Sequence, residues 1–241
     1  MNRYANYIFD LYGTLVDIKT DETLPGLWDA LALVMSDCGA FSRTGDEMRE
    51  AYLRLCAKEQ AKAADPLYEI ELRRVFAGLY AENGVEADNN LIDETAYFFR
   101  AASTIKLRLY PWVLPVFERI RRGGSRIFLL SNAQACFTLP ELEKLGISDA
   151  FDGIAISSDA GFRKPDRRIM QGLIDRFGID PAASLMTGND RTTDVEIANR
   201  FGMDSLYLRT ETSFEIPGAP RATFELTDGD LTGLEGLMGI E

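Results

Sequence analysis

After residue 110 the chain alternates short apolar segments with amphipathic ones, and this alternation restricts the fold more than any other feature. Continuous apolar runs are typical of strands buried on both faces of a sheet, and they occur at 126–130, 153–157, 184–187 and 205–208. Helical spacing of apolar residues occurs at 113–120, 165–177 and 192–201. Strands that alternate with helices form a parallel sheet with right-handed crossovers. We therefore predict an α/β fold.

Both ends of the chain contribute further predicted elements. Residues 6–9 form a short apolar strand that ends at Asp10. Near the other end, 222–226 is a possible edge strand, and a terminal helix is predicted after Asp230. The two strands extend the sheet predicted for the second half of the chain.

A helical segment interrupts this pattern between about residues 22 and 105. It contains no convincing strand, and helical spacing of apolar residues occurs at 24–37, 46–62, 65–84 and 90–105. Asp65 and Pro66 combine an N-cap residue with a proline of the first turn, so the third helix is predicted to begin there. We predict a bundle of about four helices, inserted as a domain of residues 17–105 into a core domain of residues 1–16 and 106–241.

The composition excludes several classes of function. Lys and Arg total 26 against 38 Asp and Glu, and the resulting charge of −12 repels nucleic acids and anionic membranes, so neither is an expected partner. Histidine is absent, which excludes catalytic triads and metal sites that need it. The three cysteines lack metal or disulfide spacing and favour reduced thiols in the cytoplasm. No apolar run approaches the roughly 18 residues of a membrane span, and no signal peptide is expected.

Polar residues follow the carboxyl ends of the predicted strands. Asp10 follows the first strand, Ser131 and Asn132 the second, and Asp190 the fourth, while Lys164 precedes the helix after the third. In an open parallel sheet the carboxyl ends of the strands meet at one crevice, where ligands bind. We therefore expect these residues, distant in sequence, to converge on one site.

The charges at this site predict a metal ion. Asp10 and Asp190 are joined by Asp194, one helical turn beyond Asp190, so three carboxylates face the single ammonium group of Lys164. A site with this excess of negative charge is costly in a partly dry crevice, because like carboxylates raise one another's pKa. A divalent cation balances the charge, and a set of oxygen ligands suits Mg²⁺.

At these residues the chain resembles the haloacid dehalogenase superfamily of hydrolases. Four motifs occur in the family's order and spacing: DLYGTL at 10–15, LSN at 130–132, RKPD at 163–166 and GNDRTTD at 188–194. The resemblance covers roughly residues 1–16 and 106–209, and the helical segment 17–105 lies where many members carry a cap. It implies a Rossmann-like parallel sheet with an inserted helical cap domain.

The resemblance also implies roles for the residues of the first and fourth motifs. Asp10 would be the nucleophile that forms a covalent aspartyl intermediate. The ligands of Mg²⁺ would be Asp10, the backbone carbonyl of Tyr12 and Asp190. Asp194 would not bind the ion directly but would orient its ligands. Thr14 would brace the loop that holds Asp10.

The second and third motifs carry groups suited to holding a phosphate. Ser131 can donate its hydroxyl, assisted by backbone N–H groups of the following turn, to an oxygen that gains charge during transfer. Lys164 can pair with both Asp10 and the substrate. Asn132 is expected to orient its loop or to contact the substrate.

Position 12 departs from the phosphatases of this superfamily, which usually carry a second Asp there to protonate the leaving oxygen. A phenol with a pKa near 10 is a poor base at pH 7, and general acid–base help is typically worth roughly 10²–10⁴ in rate. Tyr12 therefore leaves three alternatives: the leaving group needs no proton, another group supplies it, or the enzyme is slow.

Tyrosine at position 12 is also similar to the 2-haloacid dehalogenase branch, which needs neither a leaving-group proton nor a metal. That branch has a cap arginine, and Arg43 lies in roughly that region. It also has a tyrosine six residues after its lysine, where this chain has Met170, and its fourth motif keeps only one Asp. The first motif therefore favours a dehalogenase and the fourth a Mg²⁺-dependent phosphatase.

We weight the acidic fourth motif more heavily, because unneutralised carboxylates are costly. The leading hypothesis is a Mg²⁺-dependent phosphohydrolase for a small phosphorylated molecule; the alternatives are a metal-independent 2-haloacid dehalogenase and a phosphate-ligand-binding member without turnover. The cap of this family sets specificity, but the insert shows no recognisable ligand code. Its charged residues Lys19, Arg43 and Arg100 are expected on the surface.

Overall fold

The computed structural model describes residues 2–40, 43–214, 216–227 and 234–240. Within these ranges the strands are β1 (Asn6–Phe9), β2 (Val16–Thr20), β3 (Thr104–Leu109), β4 (Arg126–Ser131), β5 (Gly153–Ile156), β6 (Ser184–Gly188), β7 (Asp204–Leu208) and β8 (Phe224–Leu226). The helices are α1 (Leu27–Asp37), α2 (Gly45–Gln60), α3 (Leu72–Ala81), α4 (Asn89–Ser103), α5 (Val113–Arg122), α6 (Ala135–Lys144), α7 (Ser157–Ala160), α8 (Arg167–Phe177), α9 (Glu196–Arg200) and α10 (Leu234–Leu237).

Six strands form the predicted parallel sheet, in the order β5-β4-β1-β6-β7-β8. β1 lies between β4 and β6, and its four residues are buried. Tyr7 and Phe9 face one hydrophobic cluster while Ile8 faces the other, as expected for a strand covered on both sides. The predicted edge strand is confirmed as β8. The terminal helix is present as α10, although residues 228–233 lie outside the described part of the chain.

A two-stranded antiparallel ribbon, β2 and β3, was not predicted and connects the sheet with the insert. The predicted boundaries at 16/17 and 105/106 fall inside it, so the expectation of no strand up to residue 105 is wrong at its end. The ribbon consists of β2 and β3 alone. Because both strands are short and their pairing is non-local, neither segment shows a clear periodic pattern in the sequence. The division into core and cap domains at these boundaries remains a proposal.

Helices α1 to α4 form the predicted bundle around a cluster of aromatic rings. The ring of Trp28 lies 5.0 Å from that of Phe99, and the rings of Tyr52 and Phe76 are 5.8 Å apart. Aromatic pairs at these distances stabilise a core beyond the area that they bury. The bundle therefore has its own hydrophobic centre, separate from the clusters on the two faces of the sheet.

The predicted start of the third helix at Asp65 is wrong, because α3 begins at Leu72. The Asp65 carboxylate accepts a hydrogen bond from the N–H of Leu67, two residues later, which closes a turn instead of capping a helix. The chain then runs beside residues 161–163, where the N–H of Glu69 donates to the carbonyl of Gly161.

Two further observations concern the chain as a whole. No helix in the described ranges is both long and apolar enough to cross a membrane. The three cysteines, Cys38, Cys56 and Cys136, are all free thiols.

Candidate active site

The carboxyl edge of the sheet forms a cleft of about 220 Å³. Asp10 follows β1, Ser131 ends β4 and Asp190 follows β6, so neighbouring strands deliver all three to this edge. Lys164 and Asp194 line the same cleft. The expected convergence of residues distant in sequence therefore occurs.

The ammonium group of Lys164 lies buried at the centre of the site, with the residue only 2% exposed. Its Nζ donates to Asp10 Oδ1 at 2.7 Å, to Asp194 Oδ1 at 2.6 Å and to the carbonyl of Leu130 at 2.8 Å. Burial works to lower the pKa of Lys164, but the two carboxylates outweigh it and the pKa is raised. The side chain is therefore a fixed positive charge beside Asp10.

Asn132 holds the backbone of Lys164 from both sides. Its Oδ1 accepts a hydrogen bond from the Lys164 N–H at 2.7 Å, and its Nδ2 donates to the Lys164 carbonyl at 3.1 Å. The peptide bond between Lys164 and Pro165 is cis. Of the two roles expected for Asn132, the structure shows the orientation of the loop.

The loop after β1 holds Asp10 through Thr14 and depends on Gly13. The Thr14 hydroxyl lies 3.4 Å from Asp10 Oδ2 and 3.2 Å from Asn189 Oδ1. Gly13 has a φ of 80°, and a Cβ there would lie 2.3 Å from the Thr212 Oγ1. Only glycine satisfies both the conformation and this close approach.

Asp194 lines the cleft but is almost fully buried. Besides Lys164, its carboxylate accepts a hydrogen bond from the N–H of Asp190 at 3.0 Å. It lies against Gly188, where a Cβ would come within 2.1 Å of Asp194 Oδ2. Burial raises the pKa of Asp194 to about 7, although Lys164 acts in the opposite direction.

Asp190 does not join the Lys164 cluster, which corrects the expected crowding of three carboxylates around one ammonium group. Its Oδ1 accepts hydrogen bonds from the N–H and the hydroxyl of Thr192, each at 2.7 Å. Among the described residues, no group of three or more acidic, His or Cys side chains is arranged to hold a metal ion.

The donors that remain at the cleft still suit Mg²⁺ in chemical type. The carboxylates of Asp10 and Asp190 and the carbonyl of Tyr12 are all oxygen donors, and these three residues line the cleft. Lys164 balances only one of the two carboxylates that it contacts. The residues therefore fit a divalent cation by donor type and charge.

The hydroxyl of Tyr12 points away from Asp10, toward α6. It lies 3.0 Å from Thr138 Oγ1 and donates to the carboxylate of Glu141. Burial and that carboxylate raise the pKa of Tyr12 well above its usual value. The phenol is therefore neutral and its proton is donated to Glu141, so it provides neither an acid nor a base at the cleft.

Arg100 was expected on the surface, and this expectation is wrong. Its Nε donates to Glu141 Oε1 at 2.7 Å, and its side chain is only 15% exposed. The guanidinium also lies 5.4 Å from the centroid of the Tyr12 ring. The half-buried Arg100 of α4 and the buried Glu141 of α6 thus form an ion pair next to Tyr12.

Ser131 and its following turn differ from expectation in one respect. The Ser131 hydroxyl lies 3.2 Å from Asp10 Oδ1, close enough to hold the carboxylate. However, the N–H of Ala133 donates to the Ser157 Oγ at 2.8 Å, so it is not directed at a bound phosphate. Ser131 and Asn132 are the residues of this turn that line the cleft.

The two positions compared with the dehalogenase branch lie away from the cleft. Met170 is fully buried in the hydrophobic cluster on one face of the sheet. Arg43 pairs with Glu82 at 3.3 Å within the helical insert.

Four residues to which the sequence assigned no role also line the cleft: Asn189, Thr193, Thr212 and Phe214. Asn189 precedes Asp190 directly, so its position beside the fourth motif was an available signal. Thr212 and Phe214 lie in an irregular segment after β7, where no motif or periodicity marks them.

The sequence matches the family described as haloacid dehalogenase-like hydrolase over residues 4–202. The chain belongs to this family. This hydrolase is 29% identical over 200 residues to a phosphoglycolate phosphatase from Agrobacterium fabrum, an alignment that covers 83% of this chain and 78% of the relative.

Solved structures confirm the fold of this hydrolase. A 2-haloacid dehalogenase from Pseudomonas syringae matches with a TM-score of 0.66 and 20% identity, and a HAD phosphatase from Thermococcus onnurineus with 0.60 and 19%. Each match covers 98% of both chains. At this identity the likeness concerns the fold alone, and it does not choose between the two activities.

Proposed function

We propose that the protein is a Mg²⁺-dependent phosphohydrolase that acts on a small phosphorylated metabolite through an aspartyl-phosphate intermediate at Asp10. The observation that carries this proposal is the buried ammonium group of Lys164, which lies 2.7 Å from Asp10 Oδ1 at the cleft. A carboxylate that approaches a phosphate dianion meets repulsion, and a fixed positive charge beside it reduces that repulsion. The relative named phosphoglycolate phosphatase supports the same activity.

The residues around Asp10 fit a displacement at phosphorus. An oxygen of the Asp10 carboxylate forms a bond to phosphorus while the bond to the leaving oxygen breaks, and the leaving oxygen takes the electron pair. The leaving oxygen takes a proton from solvent; water then attacks the phosphorus and loses a proton to solvent, which restores the carboxylate and releases inorganic phosphate. Lys164, Ser131 and Thr14 orient the carboxylate for both steps.

The carboxylates of Asp10 and Asp190, with the carbonyl of Tyr12, would hold the metal ion. When bound there, Mg²⁺ would supply positive charge between the nucleophile and the phosphate oxygens. Asp194 would act indirectly, because its contacts with Lys164 and the Asp190 N–H orient both neighbours.

A 2-haloacid dehalogenase is the second candidate, and one observation favours it. Tyr12 lines the cleft but its hydroxyl is turned to Glu141, which suits a halide that leaves without a proton. Two observations weigh against it: Met170 is buried in the core, and Arg43 pairs with Glu82. We therefore rank it second.

The proposed function predicts phosphate release that depends on Mg²⁺. Phosphoglycolate, phosphoserine, phenyl phosphate and acetyl phosphate would be assayed with Mg²⁺ and after chelation, and 2-chloropropionate would be assayed for chloride. We expect chelation to reduce phosphate release at least about 100-fold, because the carboxylates then repel the substrate. Absence of Mg²⁺-stimulated release from every phosphate would reject the proposal. Metal-independent chloride release would support the dehalogenase, and tight phosphate-ligand binding without turnover would support a binding protein.

Substitution of Tyr12 tests whether a missing proton donor limits the reaction. We expect Tyr12→Asp to raise kcat for alkyl phosphates by about 10- to 100-fold, because it supplies a general acid at the usual place. Tyr12→Phe is the matched control and should change kcat less than about twofold, since the phenol already donates to Glu141. Initial rates with phosphoglycolate and acetyl phosphate would measure this, and acetyl phosphate should gain least because acetate leaves without a proton. An unchanged rate in a variant whose new carboxylate faces the cleft would show that proton transfer is not limiting.

We also propose a cytoplasmic location. The free thiols of Cys38, Cys56 and Cys136 support it.

A further inference from the structure

The helical insert contributes none of the described residues that line the cleft. Those residues lie at 10–12 and 131–214, and therefore in the loops of the sheet. This differs from the expectation that the cap selects the substrate. The groups that contact the organic part of a substrate should then be found at the sheet loops.

The insert is joined to the core by contacts close to the cleft. The ring of Phe137 on α6 packs against Phe76 and Phe99 of the bundle, with both centroids at 6.5 Å. In the segment before α3, the carbonyl of Leu67 accepts a hydrogen bond from the N–H of Arg163 at 2.9 Å. Together with the ion pair of Arg100 and Glu141, these contacts join the bundle to the core.

A loop after β7 lies at the cleft instead, and it is tied to the catalytic loops. The Thr210 hydroxyl donates to the Gly13 carbonyl at 2.8 Å, and the Ser213 hydroxyl donates to the Asn189 carbonyl at 2.9 Å. The Asn189 amide also donates to Thr212 Oγ1 at 3.0 Å. These bonds give the next residue, Phe214, a fixed attachment beside Asp10.

Phe214 lines the cleft and is 79% exposed to water. An aromatic ring held in water on an anchored loop forgoes the stabilisation that burial would give, and a ligand that covers the ring recovers it. Tyr12 also lines this cleft, and its hydroxyl is turned away to Glu141.

We propose that Phe214 is a specificity-determining residue that contacts the leaving group of the substrate and selects phosphates of flat, apolar groups. The inference rests on the proposed phosphohydrolase function, which it deepens by naming the substrate class. The phosphate lies at Asp10 and Lys164, and the organic group extends along the Phe214 ring toward the mouth of the cleft.

Kinetics of Phe214→Ala with two substrates tests this assignment. Phenyl phosphate has a flat apolar group, whereas acetyl phosphate has almost none. We expect kcat/KM for phenyl phosphate to fall about 10-fold through a higher KM, as the loss of one aromatic contact predicts, and the value for acetyl phosphate to change less than about twofold. Phe214→Tyr should retain the preference. Equal losses for both substrates, or no loss for phenyl phosphate, would overturn the inference.

Ile216→Ala is the matched control. Ile216 is also exposed, at 47%, but it lines a separate groove with Arg221 and Glu225. Its removal should leave both substrates unaffected. A loss for phenyl phosphate as large as that of Phe214→Ala would attribute the effect to the loop as a whole and contradict the assignment to Phe214.

Binding without turnover separates this inference from the proposed function. In calorimetry with Mg²⁺, we expect phenylphosphonate to bind the wild-type protein at least about fivefold more tightly than methylphosphonate, and Phe214→Ala to abolish the difference. Equal affinities, or no binding of either phosphonate, would overturn the inference. If the preference is present but no phosphate is hydrolysed, the phosphohydrolase proposal fails while the role of Phe214 stands.

Discussion

Replacement of Asp10 by asparagine is expected to reduce phosphate release by roughly 10⁴-fold or more while the protein remains folded. A carboxamide cannot serve as the nucleophile that forms an acyl phosphate, so the covalent route is lost. Its carbonyl oxygen can still accept hydrogen bonds from Lys164 and Ser131 in place of Asp10 Oδ1. Lys164 also keeps its contact with Asp194, so no buried charge is left without a partner.

The rate of Mg²⁺-dependent phosphate release measures this effect, and the midpoint of thermal unfolding checks the fold. Asp37→Asn is a suitable control, because Asp37 is an exposed acid near the end of α1 and should leave the rate unchanged. If Asp10→Asn kept more than about one hundredth of the activity, Asp10 would not be the nucleophile.

Most of the sheet could be predicted because β1, β4, β6 and β7 are compact apolar runs that are buried almost throughout. β1 and β4 have no surface position to interrupt that pattern, apart from the first residue of β4. The start of α3 was mispredicted because a capping acid followed by proline also begins a turn, and local residues do not distinguish the two outcomes. The ribbon of β2 and β3 depends on a partner more than 80 residues away in the chain, and that pairing has no local signal.

The convergence of the site residues followed from topology, since parallel strands deliver their carboxyl ends to one edge. Which side chains touch was less predictable. Lys164 pairs with Asp194 instead of Asp190, because Asp190 turns to the Thr192 N–H at the start of the next turn. The Tyr12 hydroxyl meets Glu141 only through the packing of α6, a helix that no motif marks in the sequence.

The second large expected effect concerns Lys164→Met, which should abolish activity and also destabilise the protein. Removal of the ammonium group leaves the carboxylates of Asp10 and Asp194 buried without their positive partner, and breaking such a cluster costs about 3–5 kcal/mol. By contrast, Lys144→Met removes an exposed lysine of α6 and should change the free energy of unfolding by less than about 0.5 kcal/mol.

The loss of stability in Lys164→Met should depend on pH. The protonation of Asp194 determines whether the loss grows or shrinks as pH rises. Burial already raises the pKa of Asp194 to about 7, and loss of Lys164 removes a group that lowers it. The folded variant then binds more protons than the unfolded chain from about pH 4 upward through the raised pKa, so its stability falls as pH rises through that window. Urea unfolding without metal should therefore show a larger deficit relative to wild type at pH 8 than at pH 5. An equal deficit at both values would mean that the ammonium group does not neutralise these carboxylates, which would remove the electrostatic basis of the proposed phosphate chemistry.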